Sequence, residues 1–107
     1  SASDSYAAVF KINDAQSGAD YVSELVADGF VVTCNTDGVS NSDSTNDQKL
    51  ADSLASGVNF LSSDLPGPVE GRSYWFDMPD GSPARCNPVH APADCTSADV
   101  ERLPTGR

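Results

Sequence analysis

Three short apolar runs, separated by two segments with helical spacing, constrain the fold of this chain more than any other feature. The runs cover residues 6–12, 30–34 and 58–63, and each contains the β-branched or aromatic residues that favour strands. Gly29 and Gly57 stand just before the second and third runs, where each would end a helix and leave only a tight turn. Strand, helix, strand, helix, strand with tight helix-to-strand turns is the construction of a parallel α/β sheet.

Both intervening segments carry signals for the start of a helix. Ser17 can cap the first helix, and Thr45 together with Gln48 forms a capping box that would begin the second. The apolar residues of the first helix repeat at helical spacing: Tyr21, Val22, Leu25 and Val26. In the second helix, Leu50 and Leu54 share one face. We therefore expect each helix to present one apolar face to the sheet.

A parallel sheet of only three strands is incomplete as a folding unit. It leaves two edges without hydrogen-bond partners and one face poorly covered. A strand with its helix takes roughly 25 residues, and eight such repeats, roughly 200 residues, close into a barrel. We therefore expect residues 1–66 to supply about strands six to eight of a parallel α/β barrel, with strands one to five on another chain.

The pattern changes after residue 66. All seven prolines stand at or beyond Pro66, and only 73–76 reads as a strand, while Asp80-Gly81 can turn a hairpin. The aromatic side chains of Tyr74, Trp75 and Phe76 are costly to leave in water. Residues 67–107 are therefore predicted to form an ordered, Pro-rich tail that packs on the barrel.

The charge of the chain excludes several kinds of partner. Sixteen acidic residues against six basic ones give a net charge of −10, which disfavours nucleic acid and offers no basic patch for an anionic membrane. The acids are spread singly, as on a solvated exterior, and the alternative is that some of them gather a divalent cation. Neither Asp37-Gly38 nor Asn41-Ser42-Asp43 has the register of an EF-hand loop.

The three cysteines divide into a pair and a single residue. Cys86 and Cys95 lie nine residues apart in the Pro-rich tail, which has little else to hold its shape, so we predict a local disulfide. Cys34 lies inside an apolar run and is expected to be a buried free thiol, with a bond to a second chain as the alternative.

The ends of the chain and its longest apolar runs bear on localisation. No run approaches the twenty apolar residues of a membrane-spanning helix, so we predict no transmembrane segment. The chain begins with Ser1 rather than Met, as expected of a processed product.

Three blocks of sequence carry a resemblance to a known family. They read AVFKIND from Ala8, VSELVADGFVVTCNTD from Val22, and LASGVNFLSSDLP from Leu54, the last followed later by PARCNP from Pro83. Together these blocks resemble the C-terminal third of the calcium-dependent phosphoinositide phospholipase C family. The resemblance implies a secreted TIM barrel of the phospholipase C type that cleaves phosphoinositide-like lipids.

The resemblance also implies a catalytic apparatus that this chain does not contain. In the family, one histidine is general base on the inositol 2-hydroxyl, another is general acid to the diacylglycerol oxygen, and a calcium ion offsets charge on the phosphate. His90 is the one histidine of this chain, in the Pro-rich tail, where we expect it to face solvent. The catalytic histidines and most calcium ligands are therefore expected on a larger N-terminal chain of the same precursor.

The candidate site residues follow from the barrel geometry, which gathers function at the carboxyl ends of the strands. Asn13 and Asp14 also stand at such an end, but the predicted substrate-binding residues are Lys11, Thr33, Asn35, Asp37, Ser63 and Asp64. Three alternatives stay open. Lys11 could pair with a carboxylate inside the barrel, Asp37-Gly38 could be only a turn signal, and Asp64 could bond the backbone of its own turn.

One departure from the family pattern creates a second hypothesis. Members often carry arginines on the penultimate strand where this chain has Thr33 and Asn35. Arginine binds phosphate by paired hydrogen bonds, so its replacement at both positions weakens the case for turnover. The sequence therefore predicts the smaller chain of a processed phospholipase-C-like phosphodiesterase, or, as the alternative, an altered or inactive barrel that acts as a binding or toxin-like protein.

Overall fold

The computed structural model describes residues 9–14, 16 and 18–101 of the chain. Its elements are β1 (Val9–Ile12), α1 (Ala19–Ala27), β2 (Val31–Asn35), α2 (Asp43–Ser56), β3 (Phe60–Ser62), a 3-10 turn (Pro79–Gly81) and α3 (Ser97–Glu101). The predicted helix cap at Ser17 and the first residues of the predicted first strand lie outside the described residues.

The three strands form one parallel sheet in the order β1-β2-β3, as the apolar runs predict. Lys11 on β1 lies opposite Thr33 on β2, and Thr33 in turn lies opposite Phe60 on β3. β3 is shorter than the run 58–63 from which it is predicted. Asn59 precedes the strand but still contacts β2: its backbone N–H donates to the carbonyl of Val32 at 2.9 Å, and its side-chain oxygen accepts from the backbone N–H of Val32. A three-stranded parallel sheet with helices is compatible with a segment of the predicted barrel.

The core lies between the helices and one face of the sheet. Val22, Leu25 and Val26 of α1 pack on Val32, and all four side chains are buried. Partly buried residues surround this cluster: Phe10, Ile12, Phe30 and Val58. Tyr21 is predicted to belong to the apolar face of α1 but is 47% exposed, since the buried stripe is limited to the three residues that meet the sheet.

Helix α2 begins earlier than predicted, and the expected capping box at Thr45 and Gln48 is wrong. Ser42 is the N-cap, because its extended backbone places its hydroxyl 3.2 Å from the backbone N–H of Thr45. Gln48 bonds Asp52 one turn further along the helix. Gly57 ends the helix with a φ of 84°, as predicted for a left-handed C-cap.

The second face of the sheet is largely exposed within the described part of the chain. Burial alternates along the strands, and Phe10, Ile12, Val32 and Cys34 lie on the side of the helices. On the other side, Val9 and Phe60 are each 65% exposed, and Lys11, two residues after Val9 on β1, is exposed as well. We call this second side the open face. It presents apolar and polar side chains where a closed barrel would have its interior.

The backbone of the Pro-rich tail differs from the prediction at two places. Residues 73–76 form no strand, since a single backbone–backbone hydrogen bond, from the N–H of Phe76 to the carbonyl of Leu65, joins them to the preceding segment. Asp80-Gly81 forms a 3-10 turn with Gly81 at a φ of 67° rather than a hairpin, because no second strand follows it. Trp75 is predicted to be covered but is 38% exposed, whereas Tyr74 is buried.

The C-terminal segment, by which we mean residues 67–101, touches both ends of the α/β unit. The disulfide between Cys86 and Cys95 is present, and Cys34 is a buried free thiol. Near the disulfide, the side chain of Asn87 donates to the carbonyl of Gly57 at 2.7 Å, and His90 bonds the carbonyl of Val26. Within the described residues, no helix is both long enough and apolar enough to cross a membrane.

Candidate functional site

The carboxyl ends of β2 and β3 gather the polar side chains of the sheet. We call this the carboxyl edge, and it includes residues 35–37 after β2 and residues 62–64 after β3. Parallel strands end on the same side of a sheet, so residues that are far apart in sequence meet there. The C-terminal segment reaches the same edge at Tyr74.

Asp37 is the centre of this edge, and its side chain is 1% exposed. One carboxylate oxygen accepts from the hydroxyl of Ser63 at 2.5 Å and from that of Tyr74 at 2.8 Å. The other accepts from the backbone N–H of Asp64 at 2.8 Å. A buried carboxylate is strongly unfavourable unless donors surround it, and these three donors meet that need. We call these four residues the Asp37 network.

Tyr74 is the donor that the C-terminal segment contributes. Its side chain is 2% exposed. Burial raises the pKa of its phenol well above the ordinary value, and the hydrogen bond to Asp37 raises it further. The phenol therefore stays neutral and keeps its proton for Asp37 across the physiological range.

A second set of hydrogen bonds ties the two strand ends together. The side-chain amide of Asn35 donates to the backbone carbonyl of Asp37 at 2.9 Å, and its oxygen accepts from Ser62 at 3.3 Å. The hydroxyl and the backbone N–H of Thr36 both donate to the carbonyl of Ser62, at 3.0 and 2.9 Å. The carboxyl edge is thus held by side chains as well as by the strand ladder.

Arg72 holds the loop that leads from β2 into α2. Its guanidinium pairs with Asp43 at 2.9 Å and donates to the carbonyls of Val39 and Asn41, each at 2.7 Å. The backbone N–H of Ser73 also donates to Asp43, and this bond, followed by the interaction with Arg72, lowers the pKa of the Asp43 carboxyl. The C-terminal segment therefore fixes this loop just beside the Asp37 network.

Three of the predicted site residues lie together on the open face. Lys11 and Thr33 are opposite each other on β1 and β2, and Asn35 follows Thr33 on the same side of the strand. Lys11 is exposed, while Thr33 and Asn35 are partly buried. We call these three residues the polar row. The row combines one cation with hydroxyl and amide groups, which suits an anionic, hydroxyl-rich ligand.

The other three predicted residues behave differently from one another. Asp37 and Ser63 are bonded to each other inside the protein, and both oxygens of Asp37 are already used. Asp64 is exposed at the edge, and the backbone of its turn is bonded by Asp37 and by the hydroxyl of Ser63, which accepts from Leu65 at 3.0 Å. The geometry thus leaves Asp64 at the surface and gives Asp37 and Ser63 internal partners.

Sequence reasoning missed Tyr74 as part of the site. Its position within an aromatic run indicates only that it is buried, and its partner Asp37 lies 37 residues away. No local pattern links the two residues. The contact depends on how the C-terminal segment crosses the carboxyl edge.

The residues present do not fit a calcium ion by themselves. Within residues 9–14, 16 and 18–101, no three acidic, histidine or cysteine side chains come close enough to hold a metal. Asp37, the one fully buried carboxylate among them, is occupied by its three donors. No step of a reaction is therefore assigned to calcium on this part of the chain.

His90 lies away from the carboxyl edge. It bonds the carbonyl of Val26, near the end of α1, and α1 leads into the amino end of β2. This contact gives the exposed ring an orienting partner that the sequence does not indicate. Its place at the amino end of the sheet excludes it from a site formed at the carboxyl ends.

The chain matches a known protein family. A family model described as phosphoinositide phospholipase C, Ca²⁺-dependent, matches residues 1–88. The matched range includes all three strands, helices α1 and α2, and Tyr74. No curated protein and no solved structure matches the chain.

Proposed function

Because this chain belongs to the Ca²⁺-dependent phosphoinositide phospholipase C family, we propose that it is the smaller chain of a processed, secreted phospholipase-C-like phosphodiesterase. The protein cleaves phosphoinositide-type phosphodiesters. Its catalytic histidines and its calcium ion belong to a larger N-terminal chain of the same precursor. The observation that carries the proposal is the polar row on an open face of a parallel sheet.

The open face supports a larger partner. Val9 and Phe60 are each 65% exposed on it, and apolar side chains of this size favour burial by roughly 1.5–3 kcal/mol each. Beside β3 runs a groove of about 370 Å³ between Leu61 and the tail residues Phe76 and Met78. A neighbouring strand in this groove would pair with the edge of β3, and the strands of the larger chain would close the barrel.

The polar row supplies contacts to the substrate in this proposal. Phosphodiester cleavage depends mainly on positioning and on neutralising charge at the phosphate. Lys11 contacts the phosphate, while Thr33, Asn35 and Asp64 hydrogen-bond the inositol hydroxyls. Asp37 and Ser63 contribute by holding the carboxyl edge, in line with their internal bonds.

The two parts of the chain have separate tasks. Residues 1–66 supply the last three strands and two helices of the barrel, and residues 67–107 form the tail that packs on it. The contacts of Tyr74 and Asn87 at opposite ends of the sheet support this division. The disulfide between Cys86 and Cys95 supports secretion, since such bonds persist in oxidising compartments.

The activity is tested by incubating the full protein with phosphatidylinositol and measuring cyclic inositol phosphate. Release is expected to stop with a chelator and to return with added Ca²⁺. Lys11→Gln is expected to raise KM about tenfold or more, as for loss of a charged hydrogen bond. Lys49→Gln on α2 is the matched control and should leave KM unchanged. The absence of cyclic product from the unaltered protein would contradict the proposal.

A catalytically altered binding or toxin-like protein is the alternative. The observation that favours it is the neutral character of Thr33 and Asn35 on the open face, where arginines would bind phosphate more strongly. This alternative predicts that the full protein binds vesicles containing phosphatidylinositol without releasing cyclic inositol phosphate. Thr33→Arg together with Asn35→Arg should then raise the affinity for such vesicles.

A further inference from the structure

The buried carboxylate of Asp37 joins three parts of the chain that are distant in sequence. Asp37 itself follows β2, Ser63 lies 26 residues later in the turn after β3, and Tyr74 lies 37 residues later in the C-terminal segment. Hydrogen bonds to a charged acceptor are among the stronger ones in proteins, and these are shielded from water. The network therefore connects the C-terminal segment to both strand ends.

We propose that Asp37 is a positioning residue that sets where the side chains of Asp64 and Asn35 lie at the carboxyl edge. Tyr74 holds Asp37 in place from the C-terminal segment. The inference rests on the proposed function, because that function provides the substrate that these side chains would meet. Asp37 itself touches no substrate in this account.

The turn after β3 is held at consecutive residues. The hydroxyl of Ser63 and the backbone N–H of Asp64 both donate to Asp37, and the N–H of Leu65 donates back to Ser63. These bonds leave the backbone of the turn little freedom. The Cα of Asp64 is thereby kept in one place, which restricts the region of the edge that its exposed carboxylate can reach.

The link to Asn35 passes through the backbone of Asp37. The Asn35 amide donates to the Asp37 carbonyl, and its oxygen accepts from Ser62. A shift of Asp37 therefore moves the amide at the end of the polar row. A displacement of about 1 Å in such a contact is enough to lower kcat/KM by about a hundredfold.

Two variants and one matched control test this role in the full protein. Tyr74→Phe removes one donor and keeps the ring, and Asp37→Asn removes the charge and keeps the shape. Asn87→Ala removes an anchor of the same C-terminal segment at the opposite end of the sheet. The readouts are hydrogen–deuterium exchange of the peptide containing Asp64 and Leu65, together with kcat and KM for phosphatidylinositol.

Both network variants are expected to speed exchange at Asp64 and Leu65 by about tenfold or more, as for loss of a hydrogen bond to a charged group. They should also raise KM, because the contacts of the substrate are displaced in every molecule. A merely structural role would reduce the active fraction, and so kcat, without changing KM. Asn87→Ala should change exchange at this turn and KM by no more than about twofold.

Equal effects of Tyr74→Phe and Asn87→Ala on exchange at the turn would overturn the positioning role. An unchanged KM in an active Asp37→Asn protein would overturn it as well. If the unaltered protein releases no cyclic inositol phosphate, the proposed function fails. The exchange rates then decide by themselves whether the Asp37 network holds the turn.

Discussion

At the scale of single residues, burial changes the chemistry of two side chains, one in the C-terminal segment and one on β2. Tyr74 lies against the carboxylate of Asp37, so its phenol is both desolvated and placed beside a negative charge. Cys34 lies under α2, where desolvation raises the pKa of its thiol. Both groups are therefore held in their neutral forms.

The raised pKa of Tyr74 predicts a loss of stability in alkali. A group whose folded pKa lies above its unfolded value, about 10 for tyrosine, stabilises the folded state fully below that value and less as pH rises through the folded pKa. The free energy of unfolding should therefore fall with rising pH above about pH 10. Urea unfolding between pH 8 and 11 measures the free energy of unfolding at each pH. Its decrease per pH unit should be smaller in Tyr74→Phe than in the unaltered protein. Identical slopes in the two proteins would contradict the assignment.

The raised pKa of Cys34 predicts an inert thiol. The thiolate is the reactive form, and burial both lowers its population and blocks access. Iodoacetamide at pH 8 should leave the peptide containing Cys34 unmodified in the native protein and alkylate it after denaturation. Because Cys86 and Cys95 are paired, their peptide should stay unmodified in both samples unless a reductant is added. Rapid modification of native Cys34 would contradict its burial.

At the scale of elements, the end of α2 is where the C-terminal segment docks. Gly57 has a φ of 84°, and a Cβ added to it would lie 2.3 Å from Val89. Its carbonyl also accepts from Asn87. Gly57 thus ends α2 and also lies in contact with the C-terminal segment, at Asn87 and Val89.

Gly57→Ala is expected to destabilise the protein by more than the cost of a left-handed alanine alone, which is about 1 kcal/mol. Gly29→Ala after α1 is the matched control, since Gly29 has a φ of 91° but open space around it. Denaturant unfolding should give the larger loss for Gly57→Ala. Adding Val89→Ala should recover part of it, and equal losses at the two glycines would show that the tail does not pack closely on Gly57.

At the scale of the whole molecule, the open face and the unpaired edges of the sheet favour association with other chains. The sheet has three strands, and on the described part of the chain β1 and β3 each have a neighbour on one side only. The exposed side chains of Val9 and Phe60 add an apolar surface to these free edges. Free edges and exposed apolar groups favour association with other chains.

Residues 1–107 produced alone should therefore associate or expose apolar surface. Size-exclusion chromatography should show species larger than a monomer, and the dye ANS should bind. Phe60→Ser should reduce both effects, whereas Val100→Ser, at an exposed apolar residue of α3 away from the sheet, should not. A monomer that unfolds cooperatively and binds no ANS would argue against a partner chain on the open face.

Local patterns in the sequence determined the elements of this protein. Apolar runs, helical spacing and the glycines at 29 and 57 predicted three parallel strands and two helices, because these signals act over a few residues. The disulfide between Cys86 and Cys95 could also be predicted from the sequence, since the two residues are close along the chain. The same kind of local signal gave the wrong start for α2, because the helix is capped by Ser42 and not by Thr45.

Only the tertiary structure decided how the site is arranged. The polar row depends on the register that puts Lys11 opposite Thr33, and the Asp37 network depends on Tyr74 crossing the carboxyl edge. Such contacts join residues more than twenty positions apart, and no repeating pattern encodes them. The sequence could therefore name Asp37 as a site residue, but its burial and its three donors followed from the packing of distant segments.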